Sequence, residues 1–421
     1  MEDILHYIWK FRLFNKDMKT TDGKPIEVID VGIHNFNEGP DFFNAKIKIE
    51  DKVWAGNIEI HQNSKDWIKH KHQESKSYNS VILHVVKKAD CEVVNELEQS
   101  VPQCEISYPD SINENYEFLI HSKTDIPCCN YIGDMPTLHL NSWMNSLLIE
   151  RLERKSNHIK ELLARFNNSW EDVFYVILSR NLGFGLNSDS FERLALSLPL
   201  KYILKQGDNI IQTEALLFGQ AGMLDDAKVK DDYYSLLQKE YEFLRNKYDL
   251  KPLESYIFKS MRTRPNSMPQ IRIAQLAALL HSSKALFSKI INCDDLGRIR
   301  LMFHVNASEY WQTHYAFGSL SERKSKYLGD ASLDIILINT VVPLLFIYGK
   351  FVDSDKYCER ALSFLEMILP EKNSITKRFS QLKMPLNNAA DSQAMIQLKR
   401  EYCELRKCLF CRIGHRLLTN Q

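Results

Sequence analysis

The hydrophobic pattern of this chain changes its period about a quarter of the way along, and that change limits the fold more than any other sequence feature. Up to about residue 110, several segments alternate apolar and polar side chains or are rich in β-branched residues, as strands are. From Leu138 onward, apolar residues recur with helical spacing. The sequence therefore predicts an α+β protein: an αβββαβ module at residues 1–110, a connecting region at 111–136 and an all-helical domain at 137–421.

The N-terminal module is predicted from six segments in a fixed order. Residues 3–14 have helical spacing, and residues 26–31, 41–50 and 53–61 are predicted strands. A helix capped by Asn63 or Ser64 runs to about His72, and residues 80–86 form an apolar fourth strand. A turn at Asp51-Lys52 would place Asp41 opposite about residue 62. The expected buried face of the second strand consists of Phe43, Ala45, Ile47 and Ile49.

Two acids and one histidine occupy positions where these strands would meet. Asp41 follows Pro40 at the start of the second strand, and Glu59 and His61 share a face of the third because side chains alternate. Carboxylates and an imidazole suit Mg²⁺, Mn²⁺ or Zn²⁺, and such an ion can activate water and stabilise a phosphoryl oxygen. Asp41 and Glu59 are therefore candidate metal ligands, and His61 is a candidate catalytic base. The alternative is that Asp41 is a turn residue and the other two lie on a solvated face.

Further histidines of the module are supporting candidates. His70 and His72 would lie about 200° apart on a helix, so both can face one ion only if the helix has already ended. His84 lies inside the apolar fourth strand, where a hydrogen-bonded core histidine is the commoner outcome.

The element order, with Pro40-Asp41 on the second strand and Glu59-Ile60-His61 on the third, resembles the PD-(D/E)XK nuclease superfamily. The resemblance covers about a quarter of the chain. It implies that the two acids bind Mg²⁺ or Mn²⁺ during phosphodiester hydrolysis of nucleic acid. His61 stands where the superfamily has lysine, and a neutral imidazole supplies no fixed positive charge. Lys46, or Lys71 from the following helix, could supply that charge.

Three functions follow from these residues. The first is a nuclease whose helical domain positions nucleic acid. The second is a catalytically inactive nucleic-acid or protein-binding module that has the same fold without the lysine. The third is a zinc-dependent hydrolase of another kind, with His61, His70 and His84 as ligands.

The whole chain is also similar to a family, mostly from Bacteroidetes, known as domain of unknown function 2851 (DUF2851). The similarity implies no particular activity. It rests on Gly39-Pro40-Asp41-Phe42, Gly56-Asn57-Ile58-Glu59-Ile60-His61, Leu83-His84-Val85-Val86, Phe218-Gly219-Gln220-Ala221-Gly222, Arg264-Pro265-Asn266 and the terminal cysteines.

The second chemical pattern of the chain is Cys403-x₄-Cys408-x₂-Cys411-x₃-His415. These four side chains can complete a zinc site, or the three thiolates with a distant cysteine can hold an iron–sulfur cluster. The pattern resembles the cysteine loop of iron–sulfur DNA glycosylases and the cysteine staple of some PD-(D/E)XK exonucleases, which implies a remote fourth cysteine. The alternative is a helical segment over 398–417 in which the cysteines are small hydrophobes. Candidates for the remote cysteine are Cys104, Cys128, Cys129 and Cys358.

An arginine-rich loop in the helical domain is a candidate phosphate site. Arg262, Arg264 and Arg272 flank a segment that Pro265 and Pro269 stiffen, and guanidinium groups suit phosphate. The alternative is a structural connection between two helices.

Composition limits the partners and the compartment. The 54 Lys+Arg and 54 Asp+Glu cancel, which excludes binding of nucleic acid by bulk charge alone but is compatible with a local basic groove. The N-terminus has no secretory pattern, and the longest apolar run, at 335–348, is interrupted by Asn339 and Pro343. We therefore expect a cytoplasmic protein without a membrane span, in which the nine cysteines are reduced.

Overall fold

The computed structural model describes residues 2–261 and 263–419 of a mixed α and β protein. The strands are β1 (Met18–Lys19), β2 (Pro25–Asp30), β3 (Ile33–His34), β4 (Phe42–Ile49), β5 (Lys52–Asn63), β6 (Val81–Lys88), β7 (Gln103–Glu105), β8 (His314–Ala316) and β9 (Ser319–Leu320). The helices are α1 (Glu2–Lys10), α2 (Lys65–Lys69), α3 (Asp110–His121), α4 (Thr137–Arg165), α5 (Trp170–Leu182), α6 (Ser188–Ser197), α7 (Leu200–Lys205), α8 (Ile210–Gln220), α9 (Asp232–Tyr248), α10 (Pro269–Ser282), α11 (Leu286–Ile291), α12 (Leu296–Met302), α13 (Glu309–Gln312), α14 (Asp330–Ile336), α15 (Val342–Phe351), α16 (Asp355–Met367), α17 (Ser374–Gln381), α18 (Ala389–Leu398) and α19 (Arg412–Thr419).

The described residues form two compact units. The mixed unit comprises the residues up to Leu140 together with those from Leu398 onward, and the helical unit comprises Asn141–Gln397. The predicted assignment of the C-terminal segment to the helical domain therefore differs from the structure. The reason is that this segment packs on α3, through α19 and the short helical turn Cys408–Phe410.

One mixed sheet organises the mixed unit. The strand order is β1-β2-β4-β5-β6-β7, and β3 pairs with β4 beside this path. β2, β4 and β5 are antiparallel, whereas β5, β6 and β7 are parallel. Helix α1 packs against β5 and buries Ile4, Leu5, Ile8 and Trp9, which lie on one helical face. The predicted helix and strand segments are present, with the short strands β1 and β3 added.

The hairpin between β4 and β5 turns one residue earlier than predicted. Ile49 pairs with Lys52, so Glu50 and Asp51 form the connection. Glu50 has a left-handed backbone with a φ of 53°. Two-residue hairpin loops favour positive φ because their twist then matches that of the strands.

A bulge in β4 shifts its register against β5 further from the predicted one. Asn44 has a φ of 56°, and the ladder shifts between Phe42 and Ala45 so that Phe42 pairs with Ile58. Phe42 is consequently buried in place of the predicted Phe43. Asp41 therefore lies beside Glu59 and not opposite residue 62.

The helical unit is built around helices that are apolar on almost every side. Buried residues run without interruption from Thr213 to Gln220 in α8 and from Ile271 to Leu280 in α10. Such helices occupy the interior of a helical bundle. The prediction of an all-helical domain is wrong in one further respect, since β8 and β9 form an antiparallel hairpin within this unit.

One helical stretch, the 22 residues Asp330–Phe351, is long and apolar enough to cross a membrane by length and composition. Of its most apolar window, 67% is buried inside the protein, as in the core helix of a globular unit. The polar Asn339 within it accepts a hydrogen bond from Lys155 Nζ at 2.8 Å and donates to Ile335 O at 2.8 Å. Its side chain is therefore satisfied inside the helical unit.

Candidate metal site in the mixed unit

Asp41 and Glu59 contact each other across the β4–β5 pair. The Asp41 backbone N–H donates to Glu59 Oε2 at 3.2 Å, and Asp41 Oδ2 accepts from the Ile60 N–H at 2.8 Å. These reciprocal bonds hold the two carboxylates side by side. The bulge at Asn44 is what brings them together, because it moves the start of β4 along β5.

Both Glu59 and His61 are buried, at 4% and 2% relative exposure, so the solvated-face alternative does not describe them. Burial, followed by the charge of Asp41, raises the pKa of Glu59 to about 9. The Glu2 carboxylate in α1 acts in the same direction. Acids that share a site in this way lower their mutual repulsion by binding a proton or a cation.

Three histidines gather next to Glu59. Helix α2 ends at Lys69, and Lys71 takes a left-handed conformation with a φ of 61°. Because the helix ends before His70, helical geometry does not hold His70 and His72 about 200° apart. Both side chains therefore lie close to His61. One ring nitrogen from each of these histidines lies within 4.8 Å of the others, an arrangement that could hold a metal ion.

His72 and Glu59 are close together without a hydrogen bond, as two ligands of one metal ion would be. His72 Nε2 lies 3.1 Å from Glu59 Oε1, yet within the described residues this buried nitrogen has no hydrogen-bond partner. His61 Nε2 is 3.4 Å from the same oxygen and 3.2 Å from His70 Nδ1. Nitrogen and oxygen atoms that approach without a hydrogen bond leave their lone pairs available to a cation.

His84 orients His61. His84 Nε2 lies 2.9 Å from His61 Nδ1, and both residues are buried on the paired strands β5 and β6. The other ring nitrogen, His61 Nε2, lies 3.4 Å from Glu59 Oε1 and is hydrogen-bonded with His70 Nδ1. The histidine trio of the structure is therefore His61, His70 and His72, in place of the predicted His61, His70 and His84.

The buried histidines favour the neutral imidazole. Burial lowers the pKa of His72 to about 4 and that of His84 to about 4. Burial, and then the neighbouring His84, His72 and His70, hold the pKa of His61 well below its usual value. Neutral imidazole is the form that binds metals.

His6 also belongs to the site, and the sequence reasoning missed it. His6 Nε2 lies 3.2 Å from Asp41 Oδ2. Burial lowers the pKa of His6, but the nearby Asp41 carboxylate outweighs this effect, so the net pKa is raised. The sequence did contain an indication of this position, because Glu2 and His6 are four residues apart and therefore share one helix face.

A cavity of about 280 Å³ in the mixed unit has His6 in its wall. Its lining combines cationic and aromatic side chains, Lys10, Phe11, Phe410 and Arg412. The two lysines proposed from sequence, Lys46 and Lys71, are both exposed.

The C-terminal pattern divides into two parts. Cys403, Cys408 and Cys411 line one small cavity together with Cys128. His415 lies instead with its Nδ1 2.6 Å from Tyr7 Oη. The other remote candidates are placed elsewhere, Cys104 in β7 of the sheet and Cys358 in α16 of the helical unit.

The arginines of the proposed phosphate loop differ from one another. Arg262 lies outside the described residues, and Arg264 is exposed. Arg272 is 6% exposed, donates to Gln275 Oε1 at 2.9 Å and places its guanidinium 4.2 Å from the Phe184 ring centre. Arg272 is therefore engaged within the helical unit.

Comparison with known proteins identifies the family. The family described as "Protein of unknown function (DUF2851)" matches residues 2–374, so the chain belongs to it. The terminal cysteines lie beyond the matched residues. No curated protein and no solved structure matches the chain.

Proposed function

We propose that this protein is a metal-dependent hydrolase of phosphodiester bonds in nucleic acid. The observation that carries the proposal is the Asp41–Glu59 pair, joined across β4 and β5, with His72 Nε2 3.1 Å from Glu59 Oε1 and without a hydrogen-bond partner among the described residues. The order of one helix, three antiparallel strands, a helix and a parallel strand supports it, because the PD-(D/E)XK resemblance implies this arrangement.

The donor set fits a divalent cation. Asp41, Glu59 and His72 would hold the ion through oxygen and nitrogen atoms, a mixture that suits Mn²⁺ better than Mg²⁺, which prefers oxygen alone. A bound ion would supply an activated water and stabilise charge on the phosphoryl oxygens. His61, which His84 and His70 contact through its two ring nitrogens, would orient the attacking water, because its lowered pKa makes it a weak base.

The cavity beside His6 supports nucleic acid as the substrate class. Lys10 and Arg412 offer cationic groups to phosphates, and Phe11 and Phe410 offer rings on which bases stack. These groups could also supply the positive charge that His61 lacks in comparison with lysine. The chain therefore needs no overall basic charge, since its net charge is zero.

The test is cleavage of single- and double-stranded DNA and RNA with Mg²⁺, Mn²⁺ or Zn²⁺. We expect activity with Mn²⁺ that a chelator abolishes. Asp41→Asn keeps an oxygen for the Ile60 N–H but removes the charge, and should lower the rate about a hundredfold or more. The matched control is Asp51→Asn in the exposed hairpin turn, which should retain full activity.

Two outcomes would contradict this proposal. One is cleavage that is equal in wild type and Asp41→Asn, because it would originate elsewhere or from a contaminant. The other is tight binding of nucleic acid without turnover under every metal, which would favour the catalytically inactive binding module.

The histidine cluster favours a second candidate, a zinc-dependent hydrolase. One ring nitrogen from each of His61, His70 and His72 lies within 4.8 Å of the others, and imidazole suits zinc. This differs from the trio suggested by sequence, because His84 Nε2 is engaged with His61 Nδ1.

Zinc content of protein purified without chelator tests this candidate. We expect His72→Ala to lose about one equivalent of zinc if the three imidazoles form the site. His121→Ala is the control, since His121 is an exposed residue of α3 that pairs with Glu117. Zinc that is unchanged in His72→Ala would rule this site out.

A further inference from the structure

Four cysteines from two distant parts of the chain meet in the mixed unit. Cys128, Cys403, Cys408 and Cys411 line one cavity of about 10 Å³. All are 6–8% exposed, and none is joined in a disulfide in the described part of the chain. The sequence pattern supplied three of these residues, and the structure selects Cys128 from the remote candidates.

Several contacts fix the C-terminal segment against the segment that carries Cys128. Arg406 Nη2 donates to Ser122 O at 2.8 Å and to Thr124 O at 3.0 Å. Lys399 Nζ donates to Asp125 O at 2.6 Å. The meeting of the four cysteines therefore follows from hydrogen bonds outside the cavity as well as from packing within it.

The local backbone is built for close approach. A π-helical turn at Lys399–Cys403 contains Cys403 and precedes Cys408 and Cys411, and such turns are frequent at functional sites. Gly414 lies so close to Cys408 that a Cβ at 414 would be 2.1 Å from the Cys408 carbonyl oxygen. These features let the chain reverse tightly around the thiols.

The sulfur atoms are close enough to influence one another. Burial, and then the neighbouring Cys411, Cys403 and Cys408, raise the pKa of the Cys128 thiol. Burial likewise raises the pKa of Cys408 to about 11. The four cysteines line one cavity, and soft thiolates select zinc or iron–sulfur centres.

We propose that Cys128, Cys403, Cys408 and Cys411 bind a metal centre through four thiolates, either one zinc ion or an iron–sulfur cluster. Binding would release up to four thiol protons and involve no change in the oxidation state of sulfur. The centre would fix residues 409–412, which line the cavity beside His6.

The experiment uses the full chain purified without chelator and without oxygen. Zinc, iron and acid-labile sulfide are measured together with the visible absorption spectrum. We expect either about one equivalent of zinc in a colourless protein or iron with sulfide in a brown one. Cys128→Ser and Cys408→Ser should lose most of that metal.

Cys129→Ser is the matched control, because Cys129 is adjacent to Cys128 but is not in the cavity wall. It should keep the metal. Equal loss in Cys129→Ser, or wild-type protein that stays metal-free after reconstitution with zinc and with iron and sulfide, would overturn the proposal.

A second measurement does not depend on the folding of the serine variants. Wild-type protein loaded with Co²⁺ should show the strong absorption that several thiolates bound to one ion produce. A cobalt spectrum without thiolate bands, or disulfides between these cysteines in anaerobic protein, would also overturn it. Because the readouts are metal content and spectra, nuclease activity can be absent while this centre is present.

Discussion

Glu59→Gln is expected to abolish metal-dependent cleavage while leaving the fold intact. Glutamine keeps the length of the side chain and an oxygen that can accept from the Asp41 N–H, now at 3.2 Å. It also has the charge of the protonated acid, the form that burial favours. What it removes is the negative oxygen beside His72 Nε2, at 3.1 Å, which we propose as a metal ligand.

The expected loss of rate is at least about a hundredfold, because changes that only orient a ligand already cost 10–100-fold. Thermal unfolding in the absence of metal should be unchanged or slightly higher than in wild type. The control is Glu27→Gln, an exposed residue of β2 that should behave as wild type in both assays. Retained activity in Glu59→Gln, with Mn²⁺ at saturation, would exclude Glu59 as a ligand.

Much of the fold could be predicted because its hydrophobic patterns are strong. The apolar run at residues 80–86 is β6, and the alternating residues 53–61 lie in β5. Local patterns of this kind depend only on which face of an element is buried.

The parts that escaped prediction depend on single backbone conformations. Asn44 and Lys71 both have positive φ, and neither is a glycine, the residue type that indicates such a conformation in a sequence. The first brings Asp41 to Glu59, and the second turns His72 into the site. Asparagine tolerates a positive φ. A lysine adopts one only where its surroundings hold it there, so the conformation of Lys71 could not be predicted from the residue type.

Long-range packing explains the other differences. His6 could be placed on a helix face from sequence, but its distance to Asp41 depends on how α1 packs against β5. Cys128 is far from Cys403 in sequence, so no spacing rule selects it over Cys129. The C-terminal segment likewise shows helical spacing, which gives no indication that it packs with the mixed unit.

The glycine motif Phe218-Gly219-Gln220-Ala221-Gly222 is explained by packing in the helical unit. An added Cβ at Gly219 would lie 2.0 Å from Tyr241 Cγ, so the ring of α9 rests directly on the backbone of α8. Tyr241 Oη then donates to Gln220 Oε1 at 3.1 Å, and Gln220 Nε2 donates to Lys251 O at 2.8 Å. The motif is therefore a close helix–helix contact with a buried hydrogen-bond network.

Gly219→Ala should consequently destabilise the protein strongly, although alanine normally favours a helix interior by about 1 kcal/mol over glycine. The buried Tyr241 ring would have to leave its position and its bond to Gln220, at a cost of about 3 kcal/mol. That cost corresponds to a fall of roughly 6–12 °C in the midpoint of thermal unfolding followed by circular dichroism.

Gly297→Ala is the matched control, because Gly297 is an exposed residue of α12 whose added Cβ would meet only the Asp295 side chain, at 3.1 Å. It should change the midpoint little, and an equally small change in Gly219→Ala would show that the Tyr241 ring can move without cost.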